Sequence, residues 1–283
     1  MINHRKTEKQ GETLNLSFFT SMVNPCYNSM SRSVYIRLSI EIGSKNMITD
    51  EAFRQAVKAA IAEHKKDRNI AFTWEGQTYW IKRRLSNGRN QFAKSSVNVQ
   101  FYTEIARSTI AHRLTGLSPE IVYLDADCMV TRAAGENINH WMKESISEEE
   151  KMDILFRVGQ ALGELHQAGM THGRPALRDF LYEDGRVTLL DWENQPRAEN
   201  KDKCMALDYL LLLLSLFREP YAEMNYIKAL EKGYAEAAGR ETRGKARAFL
   251  KKHAFIGNLA KALDIFHMKD VEAFSKLYRY LAD

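Results

Sequence analysis

The order of apolar and polar positions predicts short strands in the first half of the chain and helices in the second. Alternation is clearest at residues 31–42, where the apolar side chains from Val34 to Ile42 would share one face of a half-buried strand. A hairpin and two further strands follow, at residues 70–74, 78–84, 121–123 and 128–132. Helices are predicted from Thr49 to about Lys66 and from Phe101 to Thr115, where Gly116 ends the second helix.

In the second half, the pattern predicts a mainly helical region. Ser147 and the acidic residues after it are typical of a helix start, and apolar residues at helical spacing carry this helix to His166. The apolar run at residues 209–217 predicts a helix that is buried in a core and begins at Asp208. That run is far too short to span a bilayer, which takes roughly 20 residues. Further basic helices are predicted between residues 221 and 283.

The stretch between residues 165 and 194 holds the densest set of candidate functional side chains. A helix ends at the break around Gly169, and a polar loop and a β-hairpin follow. The hairpin is predicted because Asp184-Gly185 is a strong turn signal between two short apolar segments. Asp179 and Asp191 stand at the two ends of this hairpin, so their carboxylates could share one hard cation, which prefers oxygen ligands.

Composition indicates a folded protein of one two-lobed domain or two small ones. The chain has 283 residues, of which 45% are hydrophobic and 27% charged, with a net charge of +5. This mild basicity fits either an ordinary lysine and arginine excess or an attraction to phosphate groups and anionic membrane surfaces. Three widely spaced cysteines without a CxxC pair argue against a zinc site and fit reduced thiols. Since no apolar segment follows the basic start, we expect a cytoplasmic protein.

The polar loop and the hairpin resemble the catalytic and metal loops of the protein-kinase-like superfamily. There, a helix leads to a His-Arg-Asp loop that ends in Asn, and a hairpin leads to Asp-Phe-Gly. His172 matches the loop histidine, Asp179 falls at the Asn position, and Asp191-Trp192-Glu193 falls at Asp-Phe-Gly. Within the superfamily, the chain resembles the bacterial lipopolysaccharide-kinase-like branch, which includes the kinases of Kdo and of heptose. The resemblance covers about residues 50–280.

The resemblance implies a two-lobed α+β fold of the protein-kinase-like type, with a small β-rich upper lobe and a mostly helical lower lobe. The upper lobe would comprise residues 47–134 and the lower lobe residues 135–283. Residues 1–46 would form an N-terminal extension, which is either an added edge strand or a segment upstream of a domain that starts at Met47.

The resemblance also implies ATP and Mg²⁺ as cofactors and assigns roles to individual residues. Lys82 would hold the nucleotide phosphates from its strand, and Glu104 on the following helix would pair with it. Glu104 fits an exposed helix residue equally well. Asp179 and Asp191 would hold the metal, and Asp208 would brace the catalytic loop by accepting hydrogen bonds from its backbone.

Arg174 departs from the superfamily pattern, because it stands two residues after His172, where the catalytic Asp is found. A guanidinium group stays protonated in proteins and cannot act as a base. Either Asp179 doubles as the base, or Arg174 and Arg178 bind a phosphate or carboxylate of an anionic acceptor such as Kdo. The catalytic candidates are therefore Asp179, Arg174 and His172, of which His172 is more typical of a structural histidine bonded to the loop backbone.

Three functions follow, and we favour the first. It is an ATP- and Mg²⁺-dependent phosphotransferase that acts on a hydroxyl group of a small molecule or of a lipopolysaccharide-core sugar. The second is a pseudokinase that binds nucleotide or a partner without phosphoryl transfer, because of Arg174. The third is a basic adaptor at an anionic membrane surface, suggested by the cationic residues at 243–252, which fit a solvated helix face equally well. No nucleic-acid-binding motif, Gly-x-Gly-x-x-Gly loop or obligate protein partner is indicated.

Overall fold

The computed structural model describes residues 47–85, 97–194, 200–252 and 269–282. The extension at residues 1–46, with its predicted strand, lies outside these ranges. The described residues form, in order, α1 (Glu51–Glu63), β1 (Asn69–Trp74), β2 (Gln77–Arg83), α2 (Val97–Thr115), β3 (Ile121–Leu124), β4 (Cys128–Arg132), β5 (Glu136–Asn137), α3 (Ile138–Trp141), α4 (Glu148–Gln167), a 3₁₀ turn (Leu177–Asp179), β6 (Phe180–Glu183), β7 (Arg186–Leu189), α5 (Lys201–Phe217), α6 (Met224–Ala238), α7 (Glu241–Lys252) and α8 (Lys269–Ala282).

The upper lobe is a four-stranded antiparallel sheet in the order β1-β2-β4-β3, with helix α1 packed on one face. The hairpin of β1 and β2 closes with a two-residue turn at Glu75 and Gly76, which both have positive φ, as the tightest hairpin turns require. Phe53 of α1 is fully buried against the sheet, and its ring lies 5.2 Å from the ring of Tyr79. These apolar contacts hold α1 against β2, the strand that carries Lys82.

Helix α2 joins the two lobes because it packs on both. Ile105 packs with Met129 of the sheet, whereas Ala111, near the other end of the helix, belongs to the core of the lower lobe. Just beyond the helix, the carbonyl oxygen of Leu117 accepts a hydrogen bond from the backbone N–H of Leu189 in β7, at 2.6 Å. The position of α2 is therefore tied to the hairpin that carries Asp179 and Asp191.

The lower lobe combines helices with the small antiparallel sheet β5-β6-β7. Helices α4 and α6 lie in close contact because glycines stand where they meet. A Cβ atom on Gly159 would lie 1.9 Å from the carbonyl oxygen of Leu230, and one on Gly233 would lie 1.8 Å from that of Phe156. Neither position can hold a side chain without moving a helix, so this pair forms a rigid base beneath the polar loop.

The start of helix α5 differs from the prediction. The helix begins at Lys201, and the side-chain oxygen of the N-cap residue Asn200 accepts hydrogen bonds from the backbone N–H groups of Asp202 and Lys203. A start at Asp208 is wrong because the first turn of the helix is polar and its cap precedes the apolar run. Asp208 therefore lies in the middle of the helix, fully buried, with its carboxylate close to the polar loop.

The architecture confirms the predicted two-lobed, protein-kinase-like α+β fold. A small antiparallel sheet forms one lobe, helices form most of the other, and the chain passes once between them before β5. Within the described ranges, no helix combines the length and the apolar character needed to cross a membrane.

Candidate functional site

A cleft of about 520 Å³ lies between the sheet of the upper lobe and the strands of the lower lobe. This volume falls in the range of roughly 300–1,000 Å³ that is usual for small-molecule sites. The chain crosses between the lobes along the edge of the cleft, where Gly135 has a φ of 93° and a Cβ atom would lie 2.4 Å from the carbonyl oxygen of Tyr182. Trp80 of β2 and Trp141 of α3 also line the cleft.

Lys82 lies on the cleft face of β2 and binds two carboxylates. Its Nζ donates a hydrogen bond to Oε1 of Glu104 at 2.5 Å and to Oδ1 of Asp191 at 2.9 Å. Burial alone would lower the pKa of Lys82, but the negative charges of Glu104 and Asp191 outweigh it and raise the pKa above its ordinary value. The ammonium group is therefore charged at neutral pH, and it joins strand β2, helix α2 and the hairpin end.

The hairpin of β6 and β7 brings Asp179 close to Asp191, which lines the cleft. Phe180 pairs with Leu189, and the carbonyl oxygen of Asp179 accepts a hydrogen bond from the N–H of Leu190 at 2.8 Å, so the two chain ends lie side by side. The carboxylate of Asp179 is 6% exposed and accepts a hydrogen bond from the N–H of Ala176. Burial, with the nearby charge of Asp191, raises the pKa of Asp179 to about 6.

Asp191 adopts a left-handed backbone conformation, with φ of 61°. This conformation is uncommon for a residue other than glycine and often marks functional sites. Burial would raise the pKa of Asp191, but the charge and hydrogen bond of Lys82 hold it below its ordinary value. Its side chain is half exposed, so an ionised carboxylate faces the cleft.

His172 lies behind the two carboxylates and is fully buried. Its Nε2–H donates to the carbonyl oxygen of Leu190 at 2.7 Å, and its ring lies 5.0 Å from the buried ring of Trp192. Burial holds the pKa of His172 below its ordinary value, so the imidazole is neutral near pH 7. These contacts position Leu190, the residue before Asp191. Because the ring of His172 is fully buried, it has no access to the cleft.

The turn of the polar loop is held by two buried charges of opposite sign. Asp208 accepts hydrogen bonds from the backbone N–H groups of His172 at 2.5 Å and Gly173 at 2.9 Å. From the other side, the guanidinium of Arg107 in α2 donates to the carbonyl oxygens of Thr171 and His172. Burial lowers the pKa of Arg107 to about 10, so it remains a cation, and the nearby negative charge of Asp208 favours that charged form.

Arg174 and Arg178 are both exposed on the loop that leads to Asp179. Arg178 Nε lies 3.6 Å from Oδ1 of Asp179, with its side chain 68% exposed. The positive charges of both arginines lower the pKa of Asp179 and thus oppose the effect of burial. The loop therefore presents two guanidinium groups to solvent beside the carboxylate pair.

Three of the six predicted site residues line the cleft and contact one another, namely Lys82, Glu104 and Asp191, and Asp179 lies next to them at the start of the same hairpin. His172 supports them from behind, and Arg174 stands at the outer side of the loop. Arg107 was missed by sequence reasoning. It stands one helical turn after Glu104 and so shares its helix face, which is the signal that could have identified it.

The site fits a Mg²⁺ ion better than a metal that needs many protein ligands. Among the described residues, no group of three or more His, Cys, Asp or Glu side chains could hold a metal ion. Mg²⁺ is usually bound by one or two carboxylates together with substrate phosphates and water. Asp179 and Asp191 could supply these carboxylates, and Lys82, which donates a hydrogen bond to Asp191, could supply a cation for phosphate oxygens.

No protein-family model matches the chain. The chain is 25% identical over 212 residues to an uncharacterised protein of Haemophilus influenzae, a match that covers 74% of this chain and 88% of that protein. The chain is also 28% identical over 119 residues to the KEOPS complex subunit Bud32 of Pyrococcus abyssi. This match covers 40% of this chain and 53% of that protein.

A solved structure also resembles the chain, that of a divergent kinase lacking the glycine-rich loop, which regulates membrane ultrastructure of the Toxoplasma parasitophorous vacuole. It is 14% identical, with a TM-score of 0.41, over 75% of this chain and 87% of that chain. The topology and the contacts of Lys82 support a kinase-like fold, and the partial match to Bud32 agrees with it. The lipopolysaccharide-kinase branch stays a prediction.

Proposed function

We propose that the protein is an ATP- and Mg²⁺-dependent phosphotransferase that acts on a hydroxyl group of a small molecule. One observation carries the proposal: Lys82 is bonded to both Glu104 and Asp191 inside a cleft of suitable volume. Phosphoryl transfer needs positioned phosphates, a held metal ion and a group that orients or deprotonates the acceptor. The chain offers residues for each of these needs.

Lys82 would contact the phosphates, with its charge maintained by Glu104, and Asp179 and Asp191 would hold Mg²⁺. The metal ion would neutralise negative charge on the transferred phosphate group. The acceptor hydroxyl needs a base, which Arg174 cannot provide. If Asp179, the carboxylate on the same loop, serves as this base, Asp191 holds the metal ion, because a carboxylate that coordinates Mg²⁺ is not free to take a proton. In the metal-free protein, the pKa of about 6 leaves Asp179 mainly ionised near neutral pH.

The acceptor that the loop favours is an anionic sugar or a comparable small molecule. Arg174 and Arg178 are exposed beside Asp179, and guanidinium groups bind carboxylates and phosphates in a bidentate manner. The lipopolysaccharide-core sugars implied by the sequence resemblance belong to this class, and they are the first acceptors to test. An enzyme with such an acceptor would work at the inner face of the membrane, without an obligate protein partner.

The test measures nucleotide binding and turnover separately. Thermal unfolding of the wild type should shift upward with ATP and Mg²⁺, since a ligand that binds only the folded state stabilises it by about 2.7 kcal/mol at a hundredfold excess over Kd. Asp191→Asn should abolish the part of the shift that requires Mg²⁺. Asp153→Asn, on the exposed face of α4, is the matched control and should retain the full shift.

Turnover is followed as ADP release with Kdo, heptose and other sugars as acceptors. Acceptor-dependent ADP release that Asp191→Asn abolishes would support the phosphotransferase. An intact Mg²⁺-dependent shift without ADP release for any acceptor would favour the pseudokinase, for which Arg174 at the usual base position is the specific observation. No shift at millimolar ATP would refute both nucleotide-dependent functions.

A further inference from the structure

The upper lobe has an unusual element next to Lys82, at the edge of the cleft. In protein kinases, a Gly-rich loop covers the phosphates and the lysine lies on the third strand. In the described part of this chain, Lys82 lies on the second strand, and helix α1 precedes the first. The segment at residues 64–68 connects α1 to β1 and ends beside Lys82, because Asn69 is the cross-strand partner of Lys82 and lines the cleft.

This connecting segment is held by Arg83, the residue after Lys82. The guanidinium of Arg83 donates from one nitrogen to the carbonyl oxygens of His64, Lys65 and Asp67, at 3.0 to 3.3 Å. The backbone N–H of Arg83 also donates to the carbonyl oxygen of Arg68 at 2.7 Å. Strand β2 therefore fixes the backbone from which the side chain of Arg68 extends.

The side chain of Arg68 crosses between the lobes to the segment that carries Asp191. One guanidinium nitrogen donates to Oε2 of Glu193 at 2.9 Å, and both side chains are mostly buried. Glu193 is two residues after Asp191, so this contact brings the guanidinium to the segment that carries the proposed metal site. The Nε atom of Arg68 is buried and has no hydrogen-bond partner among the described residues.

An unsatisfied buried N–H is costly. A guanidinium has five donors, and the contact with Glu193 is the hydrogen bond that the side chain of Arg68 makes within the described ranges. Its planar donor arrangement matches phosphate oxygens. We propose that Arg68 is a second cation, beside Lys82, for the phosphates of the bound nucleotide. On binding, Arg68 exchanges Glu193 for phosphate oxygens and thereby supplies what the backbone of a Gly-rich loop supplies elsewhere. This inference rests on the proposed nucleotide site.

The experiment compares ligands that differ only in phosphate number. Adenosine, AMP, ADP and ATP are titrated with Mg²⁺, with the intrinsic fluorescence of Trp80 and Trp141 as the signal, since both line the cleft. Arg68→Gln should leave the affinity for adenosine unchanged and weaken ADP and ATP by about 10- to 100-fold, the usual effect of losing a charged hydrogen bond. Arg54→Gln, an exposed arginine of α1 paired with Glu51, should change none of the four affinities.

Glu193→Gln separates phosphate binding from a merely structural tie between the lobes. If Arg68 serves the phosphates, removing its competing carboxylate leaves ATP affinity equal to or tighter than that of the wild type. If the ion pair only holds the lobes together, Arg68→Gln and Glu193→Gln weaken adenosine and ATP alike, which overturns the inference. Unchanged ATP affinity in Arg68→Gln also overturns it but leaves the proposed function intact, whereas a wild type that binds none of the four ligands refutes the nucleotide site itself.

Discussion

Replacing Lys82 by methionine measures the electrostatic coupling at the centre of the site. Methionine retains an apolar stem of similar length but removes the ammonium group that donates to Glu104, whose side chain is 5% exposed. The second carboxylate oxygen of Glu104 is already buried without a hydrogen-bond partner among the described residues. Breaking a buried ion pair costs about 3–5 kcal/mol. Because Lys82 retains some exposure and Glu104 can take up a proton, we expect a loss of about 2–3 kcal/mol near neutral pH.

The loss should depend on pH in a defined direction. Burial raises the pKa of Glu104 and the charge of Lys82 opposes that effect, so the folded-state pKa rises further in the Lys82→Met variant. A group whose folded pKa is raised contributes stability below its unfolded pKa, and that stability is lost as the pH rises through the folded pKa. The variant should therefore lose more stability, relative to the wild type, at about pH 7.5 than at about pH 5.

The assay is urea unfolding of the wild type, Lys82→Met, Glu104→Gln and the double variant. In the double variant, Glu104→Gln removes the carboxylate that Lys82→Met alone would leave buried without its cation. The double variant should therefore lose less stability than the sum of the two single losses, with a coupling energy of at least about 1.5 kcal/mol. Lys58→Met, at an exposed position of α1, is the matched control and should change the free energy of unfolding by less than about 0.5 kcal/mol. Additivity of the two single changes within about 0.5 kcal/mol would refute the reasoning.

Three further predictions concern the framework around the site. Arg107→Met should lower ATP turnover at least about tenfold and speed amide hydrogen exchange at residues 171–173, because it removes the hydrogen bonds that hold this part of the loop. Arg107→Lys should recover both properties in part. Unchanged hydrogen exchange in Arg107→Met would contradict a role in holding the loop. Because the pKa of Asp179 is raised to about 6, its stabilising contribution is present below its unfolded pKa and is lost as the pH rises through about 6. In metal-free buffer, the free energy of unfolding of Asp179→Asn relative to that of the wild type should therefore rise by about 2–3 kcal/mol between about pH 4 and pH 7. A difference in stability between the two proteins that is constant with pH would refute the raised pKa of Asp179. Gly233→Ala drives a Cβ atom into the carbonyl oxygen of Phe156 and should lower the free energy of unfolding by about 1–3 kcal/mol. Gly244→Ala, whose Cβ atom would have nothing within 4 Å, should be neutral or raise it by up to about 1 kcal/mol. Equal effects of the two changes on the melting temperature would contradict the close helix packing.

The parts of the site that could be predicted are those with a local signal in the sequence. The Asp184-Gly185 turn placed Asp179 and Asp191 at the ends of one hairpin, and the order of elements around Lys82 and Glu104 suggested their contact. The start of α5 could not be predicted, because a polar first turn carries no hydrophobic signal.

Arg107 and Arg68 lacked a local signal for a different reason. The partners of Arg107 are backbone carbonyls 64 and 65 residues further along the chain, and the partner of Arg68 lies 125 residues away. A backbone carbonyl is present at every residue, so its position in the sequence does not indicate a partner. An arginine in a helix or before a strand is most often exposed, and only the packing of the two lobes shows these two to be buried or partly buried.

The contacts with which Arg107 and Asp208 hold the polar loop are made to residues 171–173 and do not involve Arg174. Arg107 holds the carbonyl groups of Thr171 and His172, while Asp208 holds the amides of His172 and Gly173. Arg174 is exposed and follows these anchored residues. Exchanging an acid for an arginine there removes a base and adds a cation facing solvent, but it leaves the carboxylate pair where the hairpin places it. Under the proposed function, such a substitution would alter the recognition of the acceptor and leave the proposed nucleotide site intact.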